Sequence, residues 1–469
     1  MARPVIEYFQ LKLFGRIHKC EDTMNPIRIA RPTLTNRLIK AKHNGFVKIL
    51  TGVRRCGKSY LLFNLFKEHL LESGTHANHI IEVNLESNEA ENLRRPDHLA
   101  EYLRKSIIHD GKWTYVLIDE IQLCKPYLPD GIDLTRYRPE DREDCYVKFY
   151  GVLSELKDMP YVDVYVTGSN SKLLISDVAT EFRGRGQTIA VTPLSYAEFS
   201  ALRQSERNPF TTVHEYMTYG GLPACVLMST PEEKKSYLTD LYRTIYIRDV
   251  IERYKIRDTA LLEHVLDIAM STIGCFTNPT RLAHAIETET GVKTNRTTVA
   301  ENLDRLEQAF LISKARRYDV KGRHYLDYPQ KIYSVDTGLR NARINFRQDE
   351  PTHLMENLIY NELLRCGYSV DVGVVRCETR ASGKHEMKQH EIDFVVNAMP
   401  KQIYIQSVYS LPTEEKRNQE TFSLRHTGDS FKKIVITNDP FQSLTYDNDG
   451  IAYMSLIDFL LDPKSIETL

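Results

Sequence analysis

The stretch TGVRRCGKSY, residues 51–60, sets Gly52, four intervening residues, then Gly57, Lys58 and Ser59. This is the spacing G-x-x-x-x-G-K-[ST] of a phosphate-cradling loop. Glycine at both ends lets the backbone bend tightly enough for successive amides to point inward at phosphate oxygens. Lys58 supplies a point charge for the β- and γ-phosphates. Ser59 supplies a hydroxyl for Mg2+ and opens a helix whose positive end favours the anion. The expected nucleotide contacts are Gly52, Val53, Arg54, Arg55, Cys56, Gly57, Lys58, Ser59 and Tyr60, with ATP and Mg2+ as ligands.

The flanks agree with that reading. FVKILTG (46–52) is a short β-branched, apolar run, and SYLLFNLFKEHLLE (59–72) repeats apolar residues at helical spacing. Strand, glycine-rich turn and helix is the order such a loop requires. Further along, YVLIDEIQ (115–122) leads an apolar run to Asp119 and Glu120. At the end of a buried strand Asp119 would hold the Mg2+ shell and Glu120 would polarise the attacking water. VTGSNSKLL (166–174) then offers Thr167, Ser169 and Asn170, with Asn170 preferred as the polar tip that orients water. EFRGRGQ (181–187) offers Arg183 and Arg185 as guanidinium forks for γ-phosphate charge, from the same subunit or a neighbour.

Composition bounds the rest. A chain of 469 residues suggests roughly three domains. Hydrophobic content of 42% and charged content of 27% belong to a soluble globular protein, expected in the cytoplasm. A formal net charge of −1 means that any nucleic-acid surface has to be a local patch. The eight cysteines are scattered without a C-x-x-C pair and fit reduced thiols better than a disulfide frame or zinc site. No apolar run approaches the ~18–20 residues of a membrane helix. The charged N-terminal stretch is not read as a signal peptide, and Met24 is a candidate alternative start.

Residues 79–86, 162–169 and 187–194 read as further strands alternating with helices, which argues for a parallel sheet. Residues 128–144 read as an exposed insertion, and YGGLPACVL (219–227) as a Gly/Pro break before a long helical stretch. Residues 258–340 read as three helices and a hairpin turning at Lys321-Gly322, the layout of a winged helix-turn-helix. Arg296 on the third helix and Lys314, Arg316, Arg317, Lys321 and Arg323 in the hairpin are candidate DNA contacts, with Tyr318 and Tyr325 interleaved. A protein-docking or lid module, with the basic residues on a solvated strand face, is the competing reading. Residues 351–469 return to mixed α/β. There Glu356, Asp393 and Gln406 follow the spacing of a restriction-endonuclease-like metal site. Gln406 replaces a carboxylate and Val408 stands where a lysine is expected, so a structural or DNA-binding remnant is favoured over cleavage.

GVRRCGKS, LIDEIQ, VTGSN and the Arg-Gly-Arg before PLSYAEF together resemble a bacterial and archaeal AAA-type ATPase family. The resemblance covers nearly the whole chain from about residue 25. It implies a C-terminal domain of unknown function with a degenerate nuclease-like fold, and a sensor role for Asn170.

The expected fold is α/β: a P-loop AAA-type parallel sheet with helices, then a winged helix-turn-helix, then a mixed α/β restriction-endonuclease-like domain. The boundaries are an N-terminal extension over 1–24, the ATPase domain over 25–205, a helical lid or linker over 206–257, the winged helix over 258–345 and the nuclease-like domain over 346–469. The expected activity is Mg2+-dependent ATP hydrolysis driving conformational work on DNA, in a homo-oligomer such as a hexameric ring. A nucleotide-dependent signalling or defence switch that binds protein, and an ATP-gated nuclease, are the alternatives.

Overall fold

Val47–Thr51 forms β1 at the inside of a five-stranded sheet, with all five residues buried. The computed structural model of the protein describes residues 28–168, 185–203, 208–347, 350–381, 384–398, 401–439 and 442–469. Contacts divide the chain into Met1–Ala30, described only from residue 28, and Arg31–Leu469, which holds every element below.

The other strands of the first sheet are β2 (Ile80–Asn84), β3 (Thr114–Asp119), β4 (Val162–Gly168) and β5 (Gly186–Ala190). Their order is β2-β3-β4-β1-β5 and every pairing is parallel. Parallel strands joined by helical crossovers are covered on both faces, which is why β1, β3 and β4 are fully buried and read as mainly apolar runs. Leu50, Leu62, Phe66 and Tyr165 fill one face, and Val47, Ile49, Leu103 and Leu153 the other. Each such burial contributes about 1.5–3 kcal/mol. Lys48 is the exception in β1. It is fully buried and ion-paired with Asp163 of β4, which answers the burial that pulls its pKa down.

The helix after the phosphate loop runs through Lys58–Tyr60, a π-helical stretch Leu61–Phe66, and Lys67–Glu72. Beyond the first sheet come Pro209–Tyr219, Pro223–Val226, Pro231–Leu241 and Ile247–Tyr254. The helices Thr259–Ser271, Pro279–Thr290 and Arg296–Gln308 follow. Asp258, Asn278 and Asn295 cap these three, each side chain accepting a backbone N–H of the first turn.

Among the described residues the second sheet has nine strands. Its first three are β6 (Phe276–Thr277), β7 (Ile312–Asp319) and β8 (His324–Ser334). The remainder are β9 (Ser369–Ala381), β10 (Lys384–Ala398), β11 (Lys401–Val408), β12 (Lys432–Thr437), β13 (Thr445–Tyr446) and β14 (Ala452–Ser455). The order is β13-β14-β12-β11-β10-β9-β7-β8-β6. β7 and β8 form the antiparallel pair read from the sequence. β7 also pairs in parallel with β9, setting Arg317 beside Val372 and Asp319 beside Val374. The hairpin is therefore part of the C-terminal sheet, and that sheet runs across the boundary expected at 345/346. An unpaired β7 edge would leave a row of backbone donors and acceptors open, and β9 closes it. Among the described residues no helix is long and apolar enough to cross a membrane.

Candidate active site

The phosphate loop leaves β1 at Gly52 and bends through positive φ at Gly52, Arg55 and Gly57. A Cβ on Gly52 would stand 2.0 Å from the Val191 carbonyl oxygen, so only glycine fits. Val53 and Cys56 anchor the loop from inside, and the Cys56 thiol donates to Val191 O at 3.2 Å. Arg54 is half-buried at the tip, paired with Glu86 at 3.7 Å and Asp249 at 3.5 Å. Tyr60 packs half-buried against the core. Lys58 is 4% exposed, and its Nζ donates to the carbonyls of Gly52 at 3.1 Å and Val53 at 3.2 Å.

β4 separates β1 from β3, yet the two halves of the site meet. Ser59 Oγ donates to Asp119 Oδ2 at 2.7 Å. The Thr167 hydroxyl donates to Asp119 Oδ1 and accepts the backbone N–H of Glu120 at 3.0 Å. Asp119 is 2% exposed, and burial pushes its carboxyl up against the pull of those two hydroxyls. Glu120 sits in the left-handed region at φ 53°, half-buried, accepting from the Gln122 amide.

This donor set fits a magnesium nucleotide. A buried ammonium spends its hydrogen bonds on neutral carbonyls, and a buried carboxylate lies among hydroxyls. Lys58 and the loop amides would hold phosphate oxygens, and Ser59 with Asp119 would hold the metal. Bound magnesium supplies Lewis-acid charge on the phosphates. Asn170 and Arg183 lie outside the described residues. Arg185 is exposed, 3.8 Å from Asp158.

Several groups at this site carry no local motif. The buried Arg31 donates to Cys56 O at 3.1 Å, Thr192 O at 2.9 Å and Pro193 O at 3.1 Å, and pairs with Glu198 at 3.0 Å. It ties the phosphate loop to the segment after β5. Tyr246 OH donates to Arg54 O at 2.7 Å, bringing the helical segment before residue 257 onto the loop. The Gly/Pro break 219–227 also meets the loop. Pro223 comes within 3.7 Å of where a Gly57 Cβ would be, and Leu194 N–H donates to Gly221 O at 2.7 Å. Gly221 N–H in turn donates to Asp336 Oδ2 at 2.7 Å, while Asp336 caps the helix Thr337–Arg343 through Leu339 N–H.

Burial pushes the Asp336 carboxyl up to about 6, against three backbone N–H donors that pull it down. Unfolded, the group titrates near the ordinary ~4. The folded chain then holds the proton more tightly, so this group's contribution to stability is largest below about pH 4. That contribution falls by about 3 kcal/mol as pH rises from about 4 to 6. Asp336→Asn cannot ionise. Across that window the stability difference is expected to move in the variant's favour by this amount, read by urea unfolding at steps from about pH 4 to 7.

The candidate DNA contacts divide. Lys314 is spent on Asp304 and Glu307, Arg317 is buried against Gln389 at 2.7 Å, and Lys321 donates to Arg376 O at 2.9 Å. Arg296, Arg316 and Arg323 are exposed. Arg316 lies over the Tyr325 ring at 4.2 Å and Arg296 over Tyr328 at 5.4 Å. Arg296, Tyr328, Arg281 and His284 line an open concavity of ≈ 580 Å³. Arg281 and His284 carry no sequence signal of their own; the packing of their helix on the helix of Arg296 places them beside it.

In the second sheet Glu356 and Asp393 converge, and Glu391 joins them. Gln406 Oε1 accepts the Asp393 backbone N–H at 3.4 Å. Lys331 of β8 reaches all three carboxylates. Burial alone would lower its pKa, but Glu356, Asp393 and Glu391 outweigh that and hold the ammonium well above its usual value. Burial, then Glu356, drives the Asp393 carboxyl well up.

Comparison with known proteins matches two regions of the chain, the first of which holds the phosphate loop, Asp119 and Glu120. Residues 44–200 match the family described as AAA domain, and residues 211–350 match a domain of unknown function, DUF8612. A protein of Haemophilus influenzae described as uncharacterized is 30% identical over 441 residues, 93% of this chain and 100% of that one. The uncharacterized protein MJ1544 of Methanocaldococcus jannaschii is 24% identical over 88% of this chain and 85% of its own length. Among solved structures, a Walker-type ATPase of Pyrococcus abyssi aligns with a TM-score of 0.46 and 14% identity, over 68% of this chain and 96% of that one. With the phosphate loop, Asp119 and Glu120 all inside the matched AAA domain, and 30% identity over the full length of the Haemophilus protein, the chain belongs to this family of AAA-type P-loop proteins.

Proposed function

We propose that the chain is a Mg2+-dependent ATPase that couples hydrolysis to conformational work on DNA. The observation that carries the ATPase reading is the meeting of Ser59 with Asp119 at 2.7 Å, beside the buried Lys58. Lys58 and the loop amides bind and orient the triphosphate. Glu120, one residue past the metal-facing carboxylate, takes up the proton of the attacking water. An arginine of the 183–185 segment completes the charge, from a neighbouring subunit of a ring-shaped homo-oligomer. The route outward runs from Gly57 through Pro223 and Gly221 to Asp336, two residues past the end of β8.

DNA is supported by the exposed Arg281, Arg296 and Arg316 beside Tyr325 and Tyr328, a pattern suited to phosphates and bases. The deciding experiment measures ATPase rate with and without single-stranded, duplex and branched DNA. Stimulation by one of these supports the reading, and indifference to all three favours a protein-binding switch. Arg281→Glu combined with Arg296→Glu should reduce affinity at least about tenfold and flatten the salt dependence by about two phosphate contacts, read by fluorescence anisotropy. Basal ATPase activity should be unchanged.

A further inference from the structure

Three elements converge on one buried point in the second sheet. The helix Pro351–Cys366 brings Glu356, β10 brings Glu391 and Asp393, and β8 brings Lys331. One oxygen from each carboxylate lies within 4.8 Å of the others, the spacing of a metal ligand set. Lys331 Nζ stands 2.7 Å from Glu356 Oε1 and 3.6 Å from Asp393 Oδ1, and is ion-paired with Glu391. An ammonium has three donors and here meets three carboxylates. Tyr333, two residues along β8, donates to the same Glu356 oxygen at 2.6 Å.

We propose that Lys331 is a built-in cation. Its ammonium occupies the position a divalent metal would take among Glu356, Glu391 and Asp393, and the centre is a closed charge lock rather than a phosphodiester-cleaving site.

A metal centre that cleaves phosphodiesters needs an open coordination position and a path for the phosphate. Lys331 is 3% exposed, Glu356 6% and Asp393 7%, and only Glu391 reaches solvent appreciably. The position where a nuclease lysine is expected, Val408, is buried in an apolar cluster with Leu424 and Val435. A lysine on the strand after Asp393 would stand beside a metal. This one comes from a different strand and sits amid the acids. Buried ion clusters fix which surfaces join more than they add net stability. Here the cluster joins β8 to β10 and to the helix, and so welds the hairpin region to the C-terminal sheet.

The test uses nucleotide-free, full-length protein and Mn2+ as the probe, with binding read by electron paramagnetic resonance and melting by calorimetry. Wild type and Glu391→Gln are expected to bind the same amount of Mn2+. Folded Lys331→Met is expected to gain about one equivalent, which Lys331→Met/Asp393→Asn loses. Lys331→Met should melt below wild type, and Mn2+ should restore part of the difference. The proposal is overturned if wild type loses an equivalent on Glu391→Gln, or if folded Lys331→Met gains none. Mn2+-dependent plasmid nicking by wild type that Asp393→Asn abolishes overturns it too. Should Lys331→Met not fold, wild type against Glu391→Gln decides alone.

Discussion

Glu120→Gln is expected to bind Mg-ATP as wild type does and to hydrolyse it about 10²- to 10⁴-fold more slowly, the usual cost of losing a positioned base. The amide is isosteric and keeps an oxygen for the Gln122 amide that Glu120 now accepts. The left-handed backbone at residue 120 is held by the Thr167 hydroxyl on its N–H, which the substitution leaves alone. Binding of a fluorescent ATP analogue and phosphate release, measured on the same preparation, separate the two effects. Lys58→Ala is the opposite control and should lose binding itself, because the buried ammonium is the loop's point charge. Wild-type turnover in Glu120→Gln would mean that another group takes the proton.

Gly220→Ala is expected to cost more than about 4 kcal/mol, a large share of the ~5–15 kcal/mol that holds a domain folded. Two penalties add. The backbone at Gly220, φ 70° and ψ −165°, lies in a region that is essentially glycine-only. A Cβ there would also stand 2.0 and 2.4 Å from the two carboxylate oxygens of Asp336. That carboxylate is buried and accepts Gly221 N–H and Leu339 N–H, so it cannot swing aside without orphaning both. Gly45→Ala makes the clean comparison. Its φ is 73°, but nothing lies within 4 Å of the added carbon, so only about 1–2 kcal/mol of backbone strain is expected. Urea unfolding of the two variants against wild type reads the difference. Equal midpoints would show that the contact between the 220–221 turn and Asp336 does not hold the chain together.

The phosphate loop and the paired acids that meet in the candidate site were legible because each half is contiguous. A glycine-lysine-serine turn between an apolar strand and an amphipathic helix has one sensible geometry, and an apolar run ending in Asp119-Glu120 has few. Thr167 was within reach for the same reason, at the end of a strand. Arg31, Tyr246 and the Gly221–Asp336 bond were out of reach. Each joins residues far apart in sequence, and no local pattern distinguishes a buried arginine clamp from a surface one. The hairpin shows the limit most sharply. Alternating basic and aromatic residues read as a wing for DNA, yet Arg317 is buried, Lys314 answers two acids and β7 is taken up by β9.

The order of strands and helices around residues 47–194, the phosphate loop and the adjacent acids were determined by the sequence alone, since hydrophobic period and turn chemistry act over a few residues. The nine-stranded sheet that absorbs the hairpin, the seating of Asp336 on the glycine turn and the meeting of Lys331 with three carboxylates were decided by tertiary structure. Backbone edges and buried charges must find partners, and which partner they find depends on what the rest of the chain brings within reach.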